Sequence, residues 1–175
     1  MRIHRRTVAA VCAGLLVTGC GGSSSTDTSM APSKPLPASG CSLLSRAELS
    51  SFLGNAPTCL PVRQSTPRQD VVGAGWHGAR ADQSVKAGVS RTKSVEAKET
   101  FEEEAGTKSN GGAKPVTGLG DDAVLVSDPS SDTSGSIWIL HGNDVIVVGV
   151  THGNLTGSAL ARALMATGRR LVASY

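Results

Sequence analysis

Few residues in this chain are of types that do chemistry, and most stand apart. Asp121-Asp122, inside Gly118-Leu119-Gly120-Asp121-Asp122-Ala123, is an acidic doublet in a loop-like position. Adjacent carboxylates can bind a cation or act as acid and base. Gly-x-Gly-Asp is also ordinary turn chemistry, with glycine supplying positive φ and Asp bonding local backbone, and we read it first as a turn. Neighbours on an extended chain point to opposite sides, which works against a shared site. Gly73-Ala74-Gly75-Trp76-His77-Gly78 spells GxGxxG. A dinucleotide loop needs that motif between a strand and a helix. Here it lies in a strand-like segment with another strand next, so the glycines are read as relieving crowding around Trp76.

Beyond the first forty residues the histidines are His77, His141 and His152. A tight turn at Gly142-Asn143-Asp144 would set His141 near Val145 and leave His152 about 23 Å away along the strand, too far for a shared metal. His77 has no visible triad or metal partner, and there is no GxSxG and no HExxH. Trp76, His77, Asp121 and Asp122 are therefore the ligand-binding candidates. No residue is assigned as catalytic, and no metal or cofactor is expected.

Compartment is easier to read. Arg2, Arg5 and Arg6 precede the apolar run Val8–Val17, which is short for a spanning helix and right for a signal peptide over residues 1–19. It ends in Val17-Thr18-Gly19-Cys20, small residues before a cysteine, as in the lipobox of bacterial lipoproteins. Acylated Cys20 would be the new first residue, with the bilayer as its partner and the domain held on the extracytoplasmic face of the cell membrane. An ordinary secretory signal that happens to contain Cys20 is the alternative. Removing those three arginines leaves 14 basic residues of 17 against 14 acidic ones. A neutral chain with 2 Trp, 1 Tyr and 2 Phe offers nucleic acid neither a phosphate field nor a stacking platform.

Residues 20–40 carry the lipid and then a Gly, Ser and Pro-rich run without apolar periodicity, read as a flexible tether. Cys12 leaves with the signal peptide, so Cys41 and Cys59 remain. An even pair in an exported domain reads as a disulfide. Two free thiols or a metal pair are the alternatives, the latter without a CxxC or a nearby histidine.

Residues 41–175 are read as a single α+β domain. Ser45-Arg46-Ala47-Glu48 is a capping box, Leu44 and Leu49 form its hydrophobic staple, and Gly54 stops the helix. Strands are expected near Val71–Ala79 and Val85–Thr92, the second alternating Val85, Ala87 and Val89 with Lys86, Gly88 and Ser90. A helix from Ser94 to about Gly106 follows, with Ala97, Phe101 and Ala105 at four-residue spacing. Strands Ala123–Ser127, Ser136–His141 and Val145–Thr151 come next, the last two joined by a short hairpin turn. A final amphipathic helix begins at about Ser158, lined by Leu160, Leu164, Leu171 and Val172. That order predicts an antiparallel sheet with three helices packed mainly on one face.

Cys41-Ser42-Leu43-Leu44-Ser45, ending at Leu53-Gly54, and the turn Gly118–Ala123 together resemble a family of actinobacterial lipoproteins catalogued as a domain of unknown function. Its members open with a Cys-x-Leu-Leu-Ser/Thr helix and carry a Gly-x-Gly-Asp-x-Ala turn. They are distantly similar to extracellular sensor domains of mycobacterial receptor kinases. The resemblance implies a lipid-anchored module that binds a small ligand, an envelope component or a partner protein, and it carries over no catalytic residue. An envelope hydrolase with an unrecognised site, or an accessory protein acting only through contacts, is the alternative. In relatives a cysteine usually stands just ahead of the tryptophan. Here Ala74 and Gly75 precede Trp76, and the second cysteine, Cys59, lies far upstream.

Overall fold

The computed structural model describes residues 34–175, apart from 56, 94–96, 110 and 111, and excluding the side chains of 104 and 107–109. The expected signal peptide, Cys20, most of the expected tether and the expected helix start at Ser94 lie outside the described residues. The chain runs through a 3-10 turn (Gly40–Ser42), α1 (Arg46–Leu53), β1 (Cys59–Ser65), β2 (Gln69–His77), β3 (Ser84–Thr92) and α2 (Ala97–Ser109). It continues through β4 (Ala113–Pro115), β5 (Asp122–Ser127), β6 (Gly135–His141), β7 (Asp144–Thr151) and α3 (Gly157–Ser174). The strands form one sheet in the order β1-β2-β3-β7-β6-β5-β4, and every pair is antiparallel. This is an α+β fold.

Local chemistry explains the ends of the elements. The Ser45 hydroxyl accepts from the Glu48 N–H, the Glu48 carboxylate accepts from the Ser45 N–H, and Gly54 closes α1 at φ +78°. The β6–β7 hairpin turns on Gly142-Asn143, with glycine at the first central position (φ +57°) and His141 opposite Asp144. This is the placement favoured in a two-residue turn of the primed type.

Burial divides the helices between the two faces of the sheet. On one face Trp76, Val85, Ala87, Ile137, Ile146 and Val148 pack with Leu49, Phe52 and Leu53 of α1 and Leu160, Leu164 and Leu171 of α3. On the other, Ala97, Phe101 and Ala105 of α2 cover Val126, Trp138, Leu140 and Val145. Two helices thus share a face and α2 takes the opposite one. β5, β6 and β7 are covered on both sides, which is why Ile137–Leu140 and Val145–Val148 read as unbroken apolar runs. β3 is covered on one side and alternates.

β1 and β4, the two edges of the sheet, were not expected from the sequence. β1 has six exposed residues of seven and contains Pro61, which an edge tolerates because one flank needs no ladder donors. Residues 34–40, read as the end of the tether, lie against the domain. The Lys34 ammonium donates to the Ala173 carbonyl (3.1 Å), Arg91 donates to the Lys34 carbonyl (2.8 Å), and Arg63 donates to the Ala38 carbonyl (3.1 Å). Cys41 and Cys59 form a disulfide with their Cα atoms 5.8 Å apart.

Candidate functional site

The four candidates from the sequence do not converge. Trp76 is 1% exposed and belongs to the core beneath α1 and α3, so it presents no surface to a ligand. His77 is exposed at the end of β2, opposite Ser84. The GxGxxG glycines lie in β2 and its exit with no helix following, and a Cβ on Gly73 would press on the Ala87 carbonyl at 3.0 Å. The first glycine of the motif therefore serves chain packing.

Asp121 fastens two turns together. Its N–H donates to the Leu140 carbonyl (2.8 Å), and its carboxylate accepts from the Gly142 N–H (2.6 Å). Gly118 and Gly120 precede it at φ +72° and +67°. Asp122 opens β5 opposite Leu140. That pairing runs on through Val145 to Ser90 and Val71, whereas His77 pairs through Ser84 with Thr151, so the doublet and His77 occupy opposite ends of the sheet. Among the described residues no group of three His, Cys, Asp or Glu gathers as metal ligands do.

A cleft of about 550 Å³ lies elsewhere, on the face that α2 covers only in part. One cross-strand row crosses it: Val126 of β5, Ser136 of β6, Gly149 of β7 and Lys86 of β3, continuing to Gly75 and Leu60. Gly149 leaves the floor open between Lys86 and Ser136. Those two residues stand two strands apart, roughly 10 Å at the usual spacing. The Ser136 hydroxyl accepts from the Trp138 indole N–H (3.0 Å), which orients it and leaves its own proton for another acceptor. Lys86 is exposed and has no ion-pair partner among the described residues.

The wall is the β5–β6 loop. Asp128 accepts from the Ser130 N–H (2.8 Å) and the Ser130 hydroxyl (2.6 Å), closing an Asx turn. The Ser130 hydroxyl, and then its N–H, hold the Asp128 carboxyl below the usual carboxylate range, so it stays charged. The loop is tied to the segment after β7: His152 N–H donates to the Ser134 hydroxyl (3.0 Å), Gly153 N–H to the Thr133 carbonyl (2.9 Å), and Gly157 N–H to the Asp132 carbonyl (2.8 Å). His152 adopts φ +48° there, the one non-glycine residue with positive φ among the described residues. Behind the same loop a second cavity of about 480 Å³ opens between β5 and α3, lined by Leu125, Leu160 and Leu164.

The cleft therefore presents one cation, one ionised carboxylate and several hydroxyls on a braced wall over an open floor. Sequence reading passed over it because its residues are scattered across positions 86, 126–130, 134–136 and 149–151 and match no motif. The available signal was a glycine inside an otherwise apolar strand, which often marks close approach by a ligand or another backbone. Comparison with protein-family models, with curated proteins and with solved structures finds nothing that matches this chain.

Proposed function

We propose that the chain is a lipid-anchored extracytoplasmic binding protein, held in the membrane through acylated Cys20, that takes its ligand in the cleft over Gly149. The observation that carries this reading is Gly149 itself. Its φ is not positive, and a Cβ there would meet nothing nearer than the Ser136 Cβ at 3.7 Å, an ordinary contact. Backbone geometry and packing therefore do not require glycine in this strand, where it costs roughly 0.5–1 kcal/mol. The open floor it leaves is what a ligand needs.

The compartment rests on other features. The lipobox and tether precede the domain, and a Cys41–Cys59 disulfide suits an oxidising location. No helix of the described residues is long and apolar enough to cross a membrane. The likeness to actinobacterial lipoproteins supports the same reading. Binding is tested by native mass spectrometry of protein extracted from membranes. Wild type should retain a noncovalent mass that Gly149→Val loses while staying folded. An identical retained mass in both proteins, or none in wild type, would count against the cleft.

A further inference from the structure

The chemistry of the cleft narrows the class of ligand, on the premise that the cleft is the binding site. We infer that it takes an anionic saccharide, a sugar ring bearing one phosphate or carboxylate. The acid group lies against Lys86 and the ring hydroxyls lie along Ser136, Ser130 and Asp128. Lys86 projects from β3 into the row, and both of its cross-strand neighbours, Gly75 and Gly149, lack side chains. The ammonium is therefore open to an incoming anion and has no ion-pair partner in the described residues. The loop wall has the opposite character. Asp128 is ionised and repels an acid group, but an ionised carboxylate is a strong acceptor for sugar hydroxyls. The Ser136 hydroxyl, already holding the Trp138 N–H, is left to donate. A purely anionic ligand would set charge against Asp128, and a neutral one would leave Lys86 unused. A ligand with an acid end and a hydroxylated end meets both. The glycine floor lets a ring face lie on backbone.

Two sources share that chemistry, a soluble sugar acid and the headgroup of an anionic lipid that carries a polyhydroxylated ring. The test uses the full mature chain with Cys20→Ser, so that no acyl group of its own enters a membrane. Glucose 1-phosphate and glucuronate are titrated against ¹⁵N-labelled protein, with glucose and maltose as neutral controls. Vesicles of phosphatidylinositol in phosphatidylcholine are compared with phosphatidylcholine alone. The anionic sugars, the phosphatidylinositol vesicles or both should bind and move the amide signals of Gly149, Ser136 and Ser130. Lys86→Gln should weaken that binding about tenfold or more, and Lys86→Arg should keep most of it. Binding of the free sugars alone assigns a soluble ligand, and binding of the vesicles alone assigns a headgroup; either upholds the inference. Equal affinity for neutral sugars, unchanged affinity in Lys86→Gln, or binding by none of these probes would overturn it. The premise fails separately. A natural mass kept by Lys86→Gln but lost by Gly149→Val leaves the cleft standing and removes the anion. A mass kept by both variants removes the cleft.

Discussion

Cys59 stands directly opposite Trp76 across the β1–β2 ladder. The disulfide from Cys41 therefore reaches the sheet one strand away from the tryptophan, although 17 positions separate Cys59 from Trp76 along the chain. The edge strand β1 carries the cysteine, and the bond ties β1 to the turn before α1.

Reduction should be costly for that reason. Closing a loop of this length contributes about 3 kcal/mol on the chain-entropy model. Cys41→Ser with Cys59→Ser should lower the melting temperature accordingly, and mass mapping of exported protein should recover the Cys41–Cys59 peptide. Two free thiols in exported protein would contradict the structure.

Gly120 and the acidic doublet should separate cleanly by thermal melting. A Cβ at Gly120 would strike the Leu140 carbonyl, and φ is +67°. Gly120→Ala should therefore cost about 2 kcal/mol or more. Asp121→Asn keeps an oxygen to accept the Gly142 N–H and should cost about 1 kcal/mol or less, and Asp122→Asn less still. Comparable losses in all three variants would refute a turn role for Asp121.

Arg91 grips Asp144 with two hydrogen bonds of 2.7 Å, and Asp144 is 3% exposed. Arg91→Met strands that carboxylate and should cost about 3 kcal/mol or more. Lysine lacks the planar fork, so Arg91→Lys should recover little. Because Arg91 also holds the Lys34 carbonyl, both variants should speed proteolysis within residues 34–40. Wild-type melting and cleavage rates in Arg91→Met would rule out this role.

Glu48 supplies a pH dependence with a definite sign. Desolvation pushes its carboxyl up, but hydrogen bonds from Arg170 and from the Ser45 N–H and hydroxyl outweigh it, so the folded value lies below the unfolded one. The resulting stability is present above the unfolded value and is lost as pH falls through the folded one. Melting temperature should drop below about pH 5, and the drop should be shallower in Arg170→Gln, whose Glu48 lies closer to its ordinary value. Parallel curves for the two proteins would show that the Arg170–Glu48 pair contributes nothing.

The anchor is tested by Cys20→Ser, which should release the protein from the membrane fraction, since acyl chains supply the membrane affinity in this account. Persistence of the variant in salt-washed membranes would contradict a lipoprotein.

Much of the fold was legible because local signals and tertiary burial agree. Ser45 and Glu48 mark a helix start by hydrogen bonding alone, and Leu160, Leu164 and Leu171 mark the buried face of α3 by spacing. β1 was hidden because Leu60 and Val62 are 53% and 54% exposed, so an edge strand with Pro61 shows neither alternation nor an apolar run. β4 is three residues ending in Pro115. The side taken by α2 depends on β7 pairing with β3, a long-range contact that no window of sequence contains. The site was illegible for a related reason. Trp76, His77, Asp121 and Asp122 were chosen by residue type, whereas the cleft brings Lys86, Ser136 and Gly149 together by register.

Hydrogen exchange on the mature protein, measured with its natural ligand retained and again after the ligand is stripped, tests the cleft most directly. Bound ligand should slow exchange at Ser127–Ser136 and around Gly149, and Asp122→Asn, at the end of β5 away from the cleft, should leave that pattern intact. Protection confined to another surface, such as the β1 edge around Leu60 and Val62, or no difference between the two preparations, would contradict it.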